Sequence, residues 1–454
     1  MKDRPGPDDV AAGPPPGAPA RARYGPAADL VRSAVVGLLA GAFAVLFRWA
    51  IYAIDHLRLA LLAGGHARPE WGWLAATMLG LGAGCFAGWL TVRFAPDAPG
   101  SGIPHIKGVL RGARTMSWKA LLPVKFAGGA LGIGSGLSLG LEGPTVQMGA
   151  CAAQAVGPVS GLHDRGLRPL LASGAGAGLA AIFNAPLAGF MFTLEELRRP
   201  LLARTYTNTL VAVVCAVMVA RALTGQLPSF AVRGFPPPPL ASFPLVLVIG
   251  VVAGLIGVAF NRSLLGLHRL ALRVRAVPPW CLPGIVGAAA GLLAWWLPDA
   301  TGGGHAFAQR LLTGEYAAGL GFLVLLLVAK FALTVASYAS GAPGGIFAPM
   351  LVMGAITGVV VGQASQALFP ALAPTPTAFA VLGMAAVFTS SVRAPLTGIT
   401  LILEMTAETA QLFALCAACL VAYLVAEGLR DRPIYDALLE DDLERRRAAD
   451  PSKG

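Results

Sequence analysis

From about Asp29 to Glu427 the chain is a succession of apolar runs separated by short polar or charged connections. A run of about 20 apolar residues is long enough to cross the hydrocarbon core of a bilayer as a helix. Roughly ten or more such runs follow one another, so the pattern predicts a polytopic bundle of membrane helices. Many runs are interrupted by Gly or Pro, and several are shorter than a full span, which predicts broken and tilted helices. The runs do not alternate apolar with polar residues, which excludes the strands of a membrane barrel. The fold class expected is therefore all-α polytopic membrane protein.

Composition sharpens this picture. Of 454 residues, 56% are hydrophobic and 13% charged, about half the charge of a soluble domain. The net charge of +11 does not point to nucleic acid, because much of it sits at the two ends. Lys2, Arg4, Arg21 and Arg23 precede the first run; Arg430, Arg432, Arg445, Arg446, Arg447 and Lys453 follow the last. Basic flanks read as cytoplasmic, so both termini are expected inside. Residues 1–28, with GPPPGAPA at their centre, are expected to be a disordered cytoplasmic tail, and they lack the pattern of a signal peptide. Residues 29–435 are expected to form the membrane domain, and 436–454 a short charged tail with no room for a soluble regulatory domain. The six cysteines lie in apolar surroundings, and Cys416-Ala-Ala-Cys419 reads as small buried hydrophobes rather than a redox pair. The histidines do not combine with Cys or Glu at metal-ligand spacing, so no metal or other cofactor is expected.

The chain also repeats itself. Lys125-Phe126 recurs as Lys330-Phe331, Ser135-Gly136 as Ser340-Gly341, Pro144 as Pro349, and Met148-Gly149-Ala150 as Met353-Gly354-Ala355. GLAAIF at 178–183 returns as GMAAVF at 383–388, all at an offset of 205. APLAGFMFTLE (185–195) then matches APLTGITLILE (394–404) at an offset of 209. The first copy is followed by Arg198 and Arg199; the second meets no basic residue until Arg430. By the positive-inside rule the copies end on opposite sides and are inverted, the first over about 30–225 and the second over about 240–435. Inverted repeats of broken helices place a transport site at their interface near the bilayer midplane.

Three segments share one grammar of Gly-rich residues, then Pro, then an apolar helix. They are Gly100, Ser101, Gly102, Ile103 and Pro104; Gly140, Leu141, Glu142, Gly143 and Pro144; and Gly345, Ile346, Phe347, Ala348 and Pro349. Proline suits the first helical turn, so each segment reads as a helix start within the membrane. Free N–H groups and the positive dipole end of converging starts can hold an anion without a full positive charge. Taken singly, each could be only a turn between spans. Glu142 is the one charge between Lys125 and Asp164, and the repeat sets it opposite Phe347. A carboxylate there can occupy the N–H groups that would hold the anion and leave when protonated, which describes a proton-coupled gate.

GSGIP, GLEGPTVQMG, FNAPLAG with EELR, SGAPGGIFAP, and RAPLTG with LEMT together resemble the CLC family of chloride channels and chloride/proton antiporters, over about residues 30–440. The resemblance implies a chloride/proton antiporter, not an enzyme, assembled as a homodimer with one pathway per subunit. It implies that Ser101 and Tyr435 present hydroxyls to a central chloride, that Ile346 and Phe347 present backbone amides, that Glu142 is the external gate, and that Glu196 is the internal proton glutamate. Read without the family, Ser101 is equally a helix cap, Tyr435 an interfacial aromatic, and Glu196 part of a salt-bridged helix end. Glu195 and Glu404 align in the repeat and are candidate structural partners. Lys125 could raise the potential on the anion path or pair with an inner glutamate.

The chain departs from the family pattern at three places. Leu141 stands where Arg or Lys commonly precedes the gate, His105-Ile-Lys107 follows GSGIP where acids often stand, and Lys330 is an extra intramembrane cation. The alternative function is a passive voltage- or proton-gated chloride channel, since channels of the family generally lack the inner glutamate. Nitrate-preferring members often carry Pro at the Ser101 position, so Ser101 favours chloride. A fluoride specialist has other filter motifs. An intramembrane serine protease built on Ser135 would need a histidine base within reach, and His268 lies in a basic span end. The richness in Ala, Arg and Gly suggests a bacterial inner membrane.

Overall fold

In a computed structural model the described residues are 26–66, 69–197, 203–232, 234, 236–274, 276–316 and 318–449. Most of the N-terminal tail, Arg198, Arg199 and Lys453 lie outside them. The first half holds α1 (Pro26–His66), α2 (Pro69–Phe94), α3 (Ile103–Arg111), α4 (Trp118–Gly134), α5 (Glu142–Val159), α6 (Asp164–Phe183), α7 (Pro186–Glu195) and α8 (Ala203–Thr224). The second holds α9 (Phe243–Ala271), α10 (Leu282–Trp296), α11 (His305–Thr313), α12 (Leu320–Ala339), α13 (Phe347–Leu368), α14 (Pro376–Val392), α15 (Pro395–Thr406) and α16 (Leu412–Gly428), and α17 (Ile434–Ala449) closes the chain. No strand occurs among the described residues. Nine of the described helices are long and apolar enough to cross a membrane, fewer than the run count suggests because α14 and α15 have only 17 and 12 residues. α1, at 41 residues, extends about 60 Å and must tilt steeply in a ~30 Å core.

Helix for helix, α9–α16 repeat α1–α8. α5 packs on α6 as α13 packs on α14, and α1 on α8 as α9 on α16. The close crossings need glycine: a Cβ on Gly149 would stand 2.0 Å from the Gly174 carbonyl oxygen, and one on Gly354 2.4 Å from that of Gly383. α6 and α13 bury 78% and 72% of their apolar stretch against 33% for α2 and α8, so the first pair lies in the interior of the chain and the second at its periphery.

Three contacts establish that the halves are antiparallel. α2 faces α10 with Ala76 against Gly291, Gly80 against Gly287 and Gly84 against Pro283, one number rising as the other falls. At the ends of α7 and α15 the carboxylates cross over. Glu195 accepts from Leu396 N at 3.0 Å and Thr397 N at 2.7 Å; Glu404 accepts from Leu187 N at 2.9 Å and Ala188 N at 2.7 Å. Each acid at one helix end caps the start of the other helix, satisfying orphan N–H groups and opposing the positive dipole end. Finally, Gly140 and Gly345, which are 205 apart, exchange both backbone hydrogen bonds at 2.7 Å. Only a two-fold axis between the halves lets equivalent residues pair in this way.

One reading of the cysteines needs correction. Cys419 is fully buried, but Cys416 faces outward from α16, because residues three apart sit at different edges of a helix whose interior stripe is narrow.

Candidate functional site

The three Gly-Pro segments begin helices as their sequence predicts: α3 at Ile103, α5 at Glu142 and α13 at Phe347. Short pairings hold them together. Gly100 donates to Ala342 O at 3.1 Å and accepts from Gly344 N at 3.0 Å, beside the reciprocal Gly140–Gly345 pair. Gly100 and Gly102 have φ of 65° and 83°, a conformation open to glycine at little cost, which turns the chain sharply into α3.

Glu142, 1% exposed, turns one carboxylate oxygen onto the Ala348 N–H at 3.3 Å. A side chain of the first repeat thus occupies an N–H at the helix start of the second. Phe347 is fixed by its ring, which packs between Phe183 at 5.4 Å and Phe388 at 4.2 Å between centroids. Those two phenylalanines are repeat equivalents, at the ends of α6 and α14.

Ser101 is fully buried, and its Oγ accepts from Ile103 N at 3.2 Å. The capping expectation is therefore met in part: Gly102 is the N-cap, and Ser101, one residue earlier, holds the first N–H of the helix. The Tyr338 hydroxyl lies beside Ser101, a neighbour that sequence reading missed. Tyr435, on the first turn of α17, is 1% exposed rather than interfacial. Its hydroxyl is buried with no hydrogen-bond partner among the described residues. A buried hydroxyl without a partner is costly, and an anion accepting from it would remove that cost. Tyr435 lies within electrostatic range of Tyr338, Glu196 and Glu142.

Glu196 is the last residue of the α7 turn, 4% exposed, and accepts from Lys107 Nζ at 2.5 Å. Lys107 also reaches Asp436 at 2.9 Å, and Asp436 pairs with Arg111 at 2.5 Å. Burial alone would raise the Asp436 carboxyl, but Lys107 and Arg111 together outweigh it and hold it below the usual aspartate range. The departure at Lys107 therefore produces an ion-paired inner cluster rather than an acidic one. His105 hydrogen-bonds Gln147 and the Thr115 carbonyl, each at 3.0 Å.

Lys125 and Lys330 have one explanation between them. Lys125 Nζ donates to Ala98 O at 2.8 Å and Gly100 O at 2.6 Å; it pairs with no inner glutamate. Lys330 Nζ donates to Gly302 O at 2.6 Å and Thr301 O at 3.4 Å. Gly302 and Gly304 have φ of 61° and 79°, matching Gly100 and Gly102. Gly302–Ala306 is thus the second-half counterpart of GSGIP, and each lysine ties down the glycine turn before its helix. The offset there is 202 rather than 205, and the Pro is missing, so the sequence repeat did not reveal it.

Two clefts approach this centre. One, of about 440 Å3, is lined by Glu142, Leu141, Ala348, Arg48 and His305. The other, of about 370 Å3, is lined by Gly100, Gly102, Pro104, Tyr338 and the α17 residues Leu438, Asp442, Arg445 and Arg446.

Helix starts and buried hydroxyls converging between two clefts, at the interface of inverted repeats, define a membrane protein of the ion-transport class. The chain belongs to the voltage-gated chloride channel family, whose model matches residues 83–427. It is 39% identical over 432 residues, 92% of this chain and 91% of the relative, to the H(+)/Cl(-) exchange transporter ClcA of Vibrio parahaemolyticus. It is 38% identical, over 93% of this chain and 91% of the relative, to the ClcA of Cronobacter sakazakii. Its fold matches the crystal structure of a slow cyanobacterial Cl-/H+ antiporter with TM-score 0.88 and 36% identity, covering 92% of this chain and 98% of that one.

Proposed function

We propose that this protein exchanges chloride for protons across a bacterial inner membrane. The observation that carries the reading is Glu142 seated on the Ala348 N–H, with a second buried carboxylate, Glu196, and with Tyr435 within electrostatic range of both. Chloride would be held by the Ser101 and Tyr435 hydroxyls and by N–H groups at Ile346, Phe347 and Ala348, which bind without trapping. Protonation of Glu142 removes its hold on the shared N–H and opens the seat to chloride; deprotonation returns it. Glu196, on the α17 side, would pass the proton, and no step needs a cofactor or a metal. The relatives named as exchangers support the same reading.

The rim on the α17 side carries Arg111, Arg114, Arg269, Arg432, Arg445 and Arg446, which supports placing it, and the C-terminus, in the cytoplasm. All the groups named come from one chain, so a homodimer would carry one pathway in each subunit.

The second reading is a passive chloride channel. What favours it is the 2.5 Å ion pair of Glu196 with Lys107, which sets a cation against the carboxylate that would have to take up the proton. Purified protein in liposomes separates the two. Under a chloride gradient alone, an exchanger moves protons uphill; chloride flux without proton movement would establish the channel.

A further inference from the structure

We propose that Arg48, on α1, is the cation that gathers anions at the Glu142-side mouth. This rests on the anion-transport reading but not on proton coupling. Leu141, directly before Glu142, supplies no charge to that mouth. Arg48 lines the same 440 Å3 cleft as Leu141, Glu142 and Ala348, although it comes from a helix almost a hundred residues earlier in the chain. Among the described residues lining this cleft, Glu142 is the one carboxylate and Arg48 the one permanent cation; His305 stands within electrostatic range of it.

Arg48 is held in place. One guanidinium N–H donates to the carbonyl of Ile182, near the C-terminal end of α6. The negative dipole end of that helix favours a cation there. A guanidinium carries five N–H donors, so this anchor leaves others to face the cleft. A fixed positive charge in a cleft with low-dielectric walls concentrates anions at its mouth. Set beside the path rather than on it, the charge speeds capture without holding the ion at the centre. Arg48 thus stands in for the missing charge at position 141.

The rival role is structural: Arg48 merely caps α6. The two differ in one readout. A cap changes stability; a capturing charge changes the chloride dependence of flux and its sensitivity to ionic strength. Flux is therefore measured in proteoliposomes against chloride concentration, at low and high concentrations of an impermeant salt. Arg48→Gln is expected to raise half-saturating chloride roughly three- to tenfold at low ionic strength, and less at high. Arg48→Lys should retain most of the wild-type behaviour, and Leu141→Arg added to Arg48→Gln should restore it. Half-saturation that is unchanged in folded Arg48→Gln, or raised but not restored by Leu141→Arg, overturns the proposal. Should Arg48→Gln not fold, wild type supplies the test. Chloride should slow phenylglyoxal modification of Arg48, read by peptide mass spectrometry, relative to gluconate at equal ionic strength; equal rates overturn the proposal. Proton movement is recorded in the same vesicles. Its absence in wild type would remove the exchange reading and leave the capture result to stand on its own.

Discussion

Glu142 of the first repeat accepts a hydrogen bond from the backbone of Ala348 in the second, at 3.3 Å. The carboxylate reaches that N–H because Gly140, which pairs with Gly345 on the two-fold axis, leaves room for it. A Cβ on Gly140 would fall 2.1 Å from Glu142 Oε2 and 3.1 Å from Ala348 N. Gly140→Ala should therefore push the carboxylate from its seat. The expected result is a lower ratio of protons to chloride moved by folded protein. A wild-type ratio in this variant would show that the seat does not set coupling.

The crossed caps of α7 and α15 are structural. Glu404→Ala leaves Leu187 and Ala188 N–H groups unpaired and should cost about 1–3 kcal/mol. The thermal midpoint in detergent should fall while exchange per folded molecule is retained. Unchanged stability would mean that the reciprocal bonds contribute nothing to the fold.

Lys125 and Lys330 should behave alike in stability and differently in transport. Lys125→Met leaves the Ala98 carbonyl unpaired and removes one of the two donors to Gly100 O, and Lys330→Met leaves the Thr301 and Gly302 carbonyls unpaired, a loss of about 1–3 kcal/mol for each variant. Lys125→Met should also weaken chloride binding, because the turn it ties down carries Ser101. Lys330→Met, whose turn carries Gly303 in the matching place, should leave chloride affinity nearly intact. Calorimetric titration of chloride into both variants checks this.

Acid should weaken the α17 anchor. The Asp436 carboxyl is held below the usual aspartate range by Lys107 and Arg111, against the opposing effect of burial. A lowered folded-state pKa gives stability that is complete above the unfolded value and lost as pH falls through the folded one. Asp436→Asn should thus melt below wild type at pH 7, and the gap should close below roughly pH 4. A gap that widens on acidification would contradict the ion-pair account.

Much of this was legible in the chain. The runs of apolar residues predict membrane helices, and the motifs spaced 205 apart predict two equivalent halves, because pattern and repetition are properties of the chain itself. The helix starts at Ile103, Glu142 and Phe347 follow from Gly and Pro chemistry that acts locally. What stayed hidden depends on pairing across space. Nothing near Lys107 indicates that it meets Glu196 and Asp436, nor near Arg48 that it shares a cleft with Glu142. The alignment of Glu195 with Glu404 suggested partnership, but not that each acid caps the other's helix. Gly302–Ala306 escaped notice because its likeness to GSGIP lies in backbone φ rather than in side chains.

The central claim is that Glu142 is a proton-operated occupant of the chloride seat. Paired chloride and proton fluxes on wild type and Glu142→Gln, under a chloride gradient alone, test it most directly. The account predicts uphill proton movement in wild type, and chloride flux without proton movement in Glu142→Gln. Proton coupling that survives in Glu142→Gln would contradict it.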